Sequence, residues 1–106
     1  MTTLLVFLEV DDVDHWLRSP RREEVFGPLG MTARTFVDPA HGNPAHSNRV
    51  GLILEVPDMD AFRKLMQTET AAEAMEEDGV RTETVMVLVE SEAHAYPAPH
   101  ARQHPG

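Results

Sequence analysis

A strand-helix-strand pattern written twice, with strands that are apolar on both faces, constrains this chain more than any other feature. The first unit runs from a strand at Leu4–Val10, through a helical stretch opening at Asp11 or Asp12, to a strand at Met31–Val37. The second runs from Val50–Val56 through Asp58–Asp78 to Thr84–Glu90. The order is β-α-β-β-α-β, an α+β protomer with a four-stranded antiparallel sheet and helices on one face. Such a sheet ordinarily alternates apolar with polar residues, because its other face meets water. Leu4 to Leu8 is instead one unbroken apolar run. The open face must therefore be covered by something.

At 106 residues the chain is one domain, long enough to bury roughly two-thirds of the surface its unfolded form exposes. It contains no cysteine, which excludes a disulfide framework, a thiolate metal site and a catalytic thiol. Met-Thr-Thr leads straight into a strand, with no basic leader and no 18-residue apolar run; the chain is read as soluble and cytoplasmic. Eighteen acidic against nine basic residues give a net charge of −9. That charge repels phosphate backbones and anionic membranes, so nucleic acid and membrane are not expected partners. After Glu90 the composition turns to Pro, Ala and His with almost nothing large to bury. Residues 1–91 are expected to form the domain and 92–106 a disordered tail, whose His94, His100 and His104 read as solvated.

The helical stretches are each split. Asp58 after Pro57 has N-cap form, and Met59, Phe62, Leu65 and Met66 follow at helical spacing. Thr70-Ala-Ala-Glu73 has capping-box form and Gly79 a C′ position, which predicts a short helix Ala71–Asp78 after a break near Thr68. In the first unit Asp11 or Asp12 caps a helix carrying Val13, Trp16 and Leu17. Ser19-Pro20 restarts it, and Gly27-Pro28-Leu29-Gly30 ends it.

The run Val10-Asp-Asp-Val-Asp-His-Trp16, with Phe26, Gly30-Met-Thr, Asp38-Pro39, Asn48-Arg-Val-Gly-Leu-Ile-Leu-Glu-Val-Pro-Asp58, Ala61-Phe62, Glu73-Ala-Met75 and Gly79-Val80, resembles the small dimeric α+β barrel proteins. These are similar to the antibiotic-biosynthesis monooxygenases and stress-responsive barrel proteins. The resemblance covers about residues 4 to 90. It implies a ferredoxin-like protomer whose open sheet face packs on its twin in a homodimer. Members include oxygenases, cyclases, isomerases and proteins of no known activity, so fold transfers better than function. Relatives often carry a His near the end of the first strand, where this chain has Leu8.

The candidate catalytic residues are Glu9, His15, Arg34 and Glu55; the candidate substrate-binding residues are Phe7, Trp16, Phe36, Phe62 and Met66. Arg34 and Glu55 interrupt apolar strands, where an unpaired charge is costly. They form an ion pair, Arg34–Glu55 or Arg34–Glu9, at a dimer seam, or Arg34 holds an acidic oxygen of a substrate while Glu9 or Glu55 moves a proton. Trp16 is a core anchor or a stacking platform, and His15 a surface residue or a base. His41 and His46 flank Gly42-Asn43-Pro44 and with Asp38 could make a two-His, one-carboxylate site, although a mobile hairpin loop explains them as well. Arg18, Arg21 and Arg22 are expected to pair with Asp14, Glu23 or Glu24, and Glu69, Glu73, Glu76, Glu77 and Asp78 to form a solvated helix face. Met59, Met66, Met75 and Met86 fall on expected core positions.

There is no phosphate loop, nucleophile elbow or dinucleotide fingerprint, so no nicotinamide, flavin or ATP is expected as a cofactor, and no metal. The leading expectation is a cofactor-independent monooxygenase or cyclase acting on an apolar, aromatic or polyketide-like compound between helices and sheet. The alternative, favoured by Leu8, is a non-catalytic ligand-binding or stress-associated homodimer.

Overall fold

Side-chain caps and two glycine turns divide the chain into its elements. The computed structural model describes residues 1–41, 48–91 and 96. Strand β1 (Thr2–Val10) leads into α1 (Val13–Arg18) and α2 (Arg21–Phe26), then through a short 3-10 turn at Gly27–Leu29 into β2 (Thr32–Val37). Strand β3 (Arg49–Val56) is followed by α3 (Met59–Met66), α4 (Glu69–Glu77) and β4 (Val80–Val89). The Asp12 carboxylate accepts from the His15 backbone N–H at 3.1 Å, and Asp58 accepts from Asp60 and Ala61. Each cap is worth about 1 kcal/mol. Gly30 and Gly79 both have φ of 73°, a left-handed conformation that favours glycine at a helix end.

The expected starts of β1, β2 and β3 each move by one or two residues, and those of α4 and β4 move as well. The cap of α4 is Thr68, whose hydroxyl accepts from Ala71 N–H at 3.2 Å, so Thr70-Ala-Ala-Glu73 lies inside the helix rather than opening it. β4 starts at Val80 instead of Thr84, because Gly79 turns the chain directly onto β1. Asp11 N–H donates to the Gly79 carbonyl at 2.9 Å, and Val10 and Glu9 pair with Val80 and Arg81. The register then shifts between Phe7 and Glu9. At that bulge the Thr84 hydroxyl takes the Glu9 N–H at 2.9 Å, in place of a ladder carbonyl.

The sheet order is β2-β3-β1-β4, with every pairing antiparallel. This is the expected βαββαβ protomer. Its core sits between helices and sheet, where Leu4, Val6, Leu8 and Val10 of β1 meet Val50, Leu52 and Val56 of β3 and Val13 and Trp16 of α1. On the other face Leu5, Phe7, Phe36, Met86 and Leu88 remain 37–56% exposed. Polarity does not alternate along β1, but burial does, because successive side chains leave the strand on opposite sides. Met86, expected in the core, belongs to the open face for this reason. Met86 pairs directly with Phe7 there.

Candidate functional site

The helical layer does not close fully on the sheet. A cavity of about 520 Å³ remains between them, within the range of small-molecule sites. Its floor is the helix-facing side of the sheet, including Val6, Leu8, Leu52 and Leu54, and its roof carries Trp16, Phe26, Phe62, Met66 and Met75. The rings of Phe26 and Phe62 stand 6.1 Å apart. Most of this surface is apolar, which suits a ligand with little charge.

One corner is polar. Asp78, the C-cap residue of α4, is 2% exposed, and its Oδ2 lies 3.2 Å from Arg22 Nη1. The Ser19 hydroxyl donates to Asp78 Oδ1 and itself accepts the Arg21 backbone N–H at 3.2 Å. The Arg22 guanidinium lies 4.1 Å from the centre of the Trp16 ring, a cation–π contact. Burial pushes the Arg22 pKa below its ordinary value, and Asp78 opposes that shift. A carboxylate at a helix C-terminus is electrostatically disfavoured, so Arg22 offsets both the dipole and the desolvation of Asp78. Ser19, Arg22, Glu23 and Asp78 all line the cavity.

Two expectations are corrected here. Arg22 pairs with Asp78, 56 positions away, and not with Asp14, Glu23 or Glu24, because α2 packs against α4. Asp78 is buried rather than part of a solvated face. The sequence did hold a signal for it: Ala71, Ala74 and Asp78 stand at i, i+3 and i+7, and the two alanines are the buried stripe of α4. Arg21 follows the expected pattern in part. It pairs with Glu24 at 3.2 Å and also lies 2.7 Å from Glu77.

Of the candidate site residues, Trp16, Phe62 and Met66 line the cavity. Phe7, Glu9, Arg34, Phe36 and Glu55 stand on the opposite face of the sheet, so no one pocket joins the two groups. The register settles the relation of Arg34 to Glu55. Arg34 is opposite Ile53 and Thr32 is opposite Glu55, which puts both charges on the open face as diagonal neighbours. Neither makes an ion pair among the described residues. Glu9 instead lies 3.6 Å from Arg81, which also reaches Asp11 at 2.9 Å. His15 is exposed on α1, with Nε2 donating to the Glu77 carbonyl at 2.7 Å. His41 Nδ1 is 2.9 Å from the Asp38 carbonyl, while His46 and the tail histidines lie outside the described residues. Among the described residues no three metal-ligating groups converge, and no helix is long and apolar enough to cross a membrane.

No protein-family model matches the chain, and no curated protein matches it. Solved structures do. The chain is similar to an antibiotic biosynthesis monooxygenase, 17% identical, over 86% of this chain and 97% of that one, with a TM-score of 0.54. It is similar also to a dimeric ferredoxin-like protein of unknown function from Jannaschia sp. CCS1, 16% identical, over 85% of this chain and 97% of that one, at a TM-score of 0.58. At such identities the likeness establishes the fold, which is ferredoxin-like α+β.

Proposed function

We propose that this ferredoxin-like chain binds an apolar or aromatic small molecule in the cavity between its helices and its sheet, and works as a homodimer joined through the open sheet face. The observation that carries the reading is the 520 Å³ cavity itself, apolar on most of its wall with one buried polar corner. That combination is the usual form of a ligand site. The dimer rests on the apolar open face, and the dimeric neighbour from Jannaschia supports it.

Two activities fit such a cavity. In the first, the chain is a cofactor-independent monooxygenase or cyclase: the apolar wall excludes water while a carboxylate removes a proton from an activated substrate. Asp78 and Glu23 are the carboxylates of that wall. The monooxygenase among the structural neighbours supports this reading. In the second, the chain holds its ligand without transforming it. A specific observation favours the second: Leu8, where relatives often carry His, is a cavity-wall residue, so the wall offers an alkyl group at that point. Glu9, Arg34 and Glu55 then belong to the dimer seam, where Arg34 would meet a carboxylate of the second copy.

Native mass spectrometry of the protein against a small-molecule library tests the site. One apolar ligand per protomer is expected, and it should be lost in Met66→Trp, which fills the cavity from a partly exposed position. Ligand binding that survives Met66→Trp unchanged would remove the cavity from the account. Turnover of the bound compound in air would decide for the enzyme over the binding protein.

A further inference from the structure

Resting on that cavity reading, we infer that Asp78 selects the ligand: the cavity takes a neutral molecule that presents an O–H or N–H donor, and discriminates against carboxylates. A carboxylate has about four acceptor positions. Asp78 uses one on each oxygen, for Ser19 and for Arg22, and it is among the cavity-lining residues. Its unused lone pairs are a buried acceptor for a ligand donor, and a bond to a charged acceptor is stronger than one between neutral groups.

The charges of the wall point the same way. Arg22, Glu23 and Asp78 are its charged residues, which leaves one net negative charge. Arg22, its one cation among the described residues, already meets the Asp78 carboxylate and the Trp16 ring. An anionic ligand would have to share Arg22 with the Asp78 carboxylate and lie in a wall that carries two acids, and like charges at short range repel. A neutral donor disturbs neither contact. Specificity here is therefore set as much by what the wall repels as by what it attracts.

Three probes of one size separate these cases: 2-naphthol, 2-methylnaphthalene and 2-naphthoate, measured by equilibrium dialysis against the full chain. The naphthol should bind about tenfold more tightly than the hydrocarbon, the increment of a charge-assisted hydrogen bond, and the naphthoate more weakly than either. In Asp78→Asn the naphthol's lead over the hydrocarbon should shrink and the naphthoate should gain most, because the carboxylate charge is gone and Arg22 is left to meet an anion. Should that variant not fold, the ranking in the parent protein still decides. Ser19→Ala adds a second arm: it frees an acceptor position, leaves the Asp78–Arg22 pair in place and should keep the naphthol first. Equal binding of all three probes, or tightest binding of the naphthoate, would overturn the inference while leaving the cavity a ligand site. Binding of none would overturn the cavity reading and this inference with it.

Discussion

The two faces of the sheet are built from nearly the same kinds of residue, and along the interior strand β1 they meet opposite fates. On the helix side Leu4 and Val10 are fully buried and Val6 and Leu8 nearly so; on the open side Leu5, Phe7, Phe36, Met86 and Leu88 stay substantially exposed. Apolar character alone thus does not tell which face is the core. The charges do. On the helix side Asp78 is buried and hydrogen-bonded, and its partly exposed partner Arg22 stacks on Trp16, whereas Arg34 and Glu55 on the open side stand exposed. The Asp78 carboxylate meets its partners within one chain, whereas the open face holds loose charges among apolar side chains, the pattern expected where a second surface packs. Contiguous exposed apolar area of this kind marks interfaces.

The helix side should yield the largest effect. Trp16→Ala removes a fully buried ring and the stacking surface of Arg22, and should cost about 3–5 kcal/mol, read as a large fall in denaturation midpoint. A loss under about 1 kcal/mol would mean that the helical layer is held mainly by other contacts. Arg34→Met should act differently. The long apolar stem is replaced in volume, and the residue faces away from the cavity, so probe affinity should stay unchanged while any effect falls on self-association. A selective loss of ligand binding in Arg34→Met would place the site on the open face and reverse the comparison of the two faces. The smallest effect is expected from removal of residues 93–106, whose composition offers little to bury. Melting temperature should be nearly unchanged, and a large drop would show that this segment docks, with Tyr96 its natural anchor.

Much of this architecture was legible in the sequence, for identifiable reasons. The element order followed from two apolar strand-helix-strand patterns, the caps at Asp12 and Asp58 from their side-chain oxygens, and the split helices from Ser19-Pro20 and the break at Thr68. Local chemistry decides those features. The start of β4 was not legible, because it depends on Gly79 handing the chain to β1 and on a bulge that Thr84 completes. The site was read only in part. Trp16, Phe62 and Met66 lie on helix stripes, and a stripe faces the layer beneath it. Phe7 and Phe36 lie on strands, where one residue of slip exchanges core for open face. The Ser19–Asp78–Arg22 cluster joins segments 56 and 59 positions apart. Its one local trace is the placing of Asp78 on the alanine stripe of α4.

On this reading a second copy of the chain covers the open face while the ligand cavity lies within each protomer. Sedimentation equilibrium on the parent protein and on Phe7→Glu tests it most directly, since Phe7 is 45% exposed at the middle of that face and a charge there would oppose burial in an interface that should exceed about 1,000 Å². Twice the chain mass is expected for the parent at micromolar concentration, and the mass of a single chain, still folded, for Phe7→Glu. A parent protein that sediments as a single chain would contradict it.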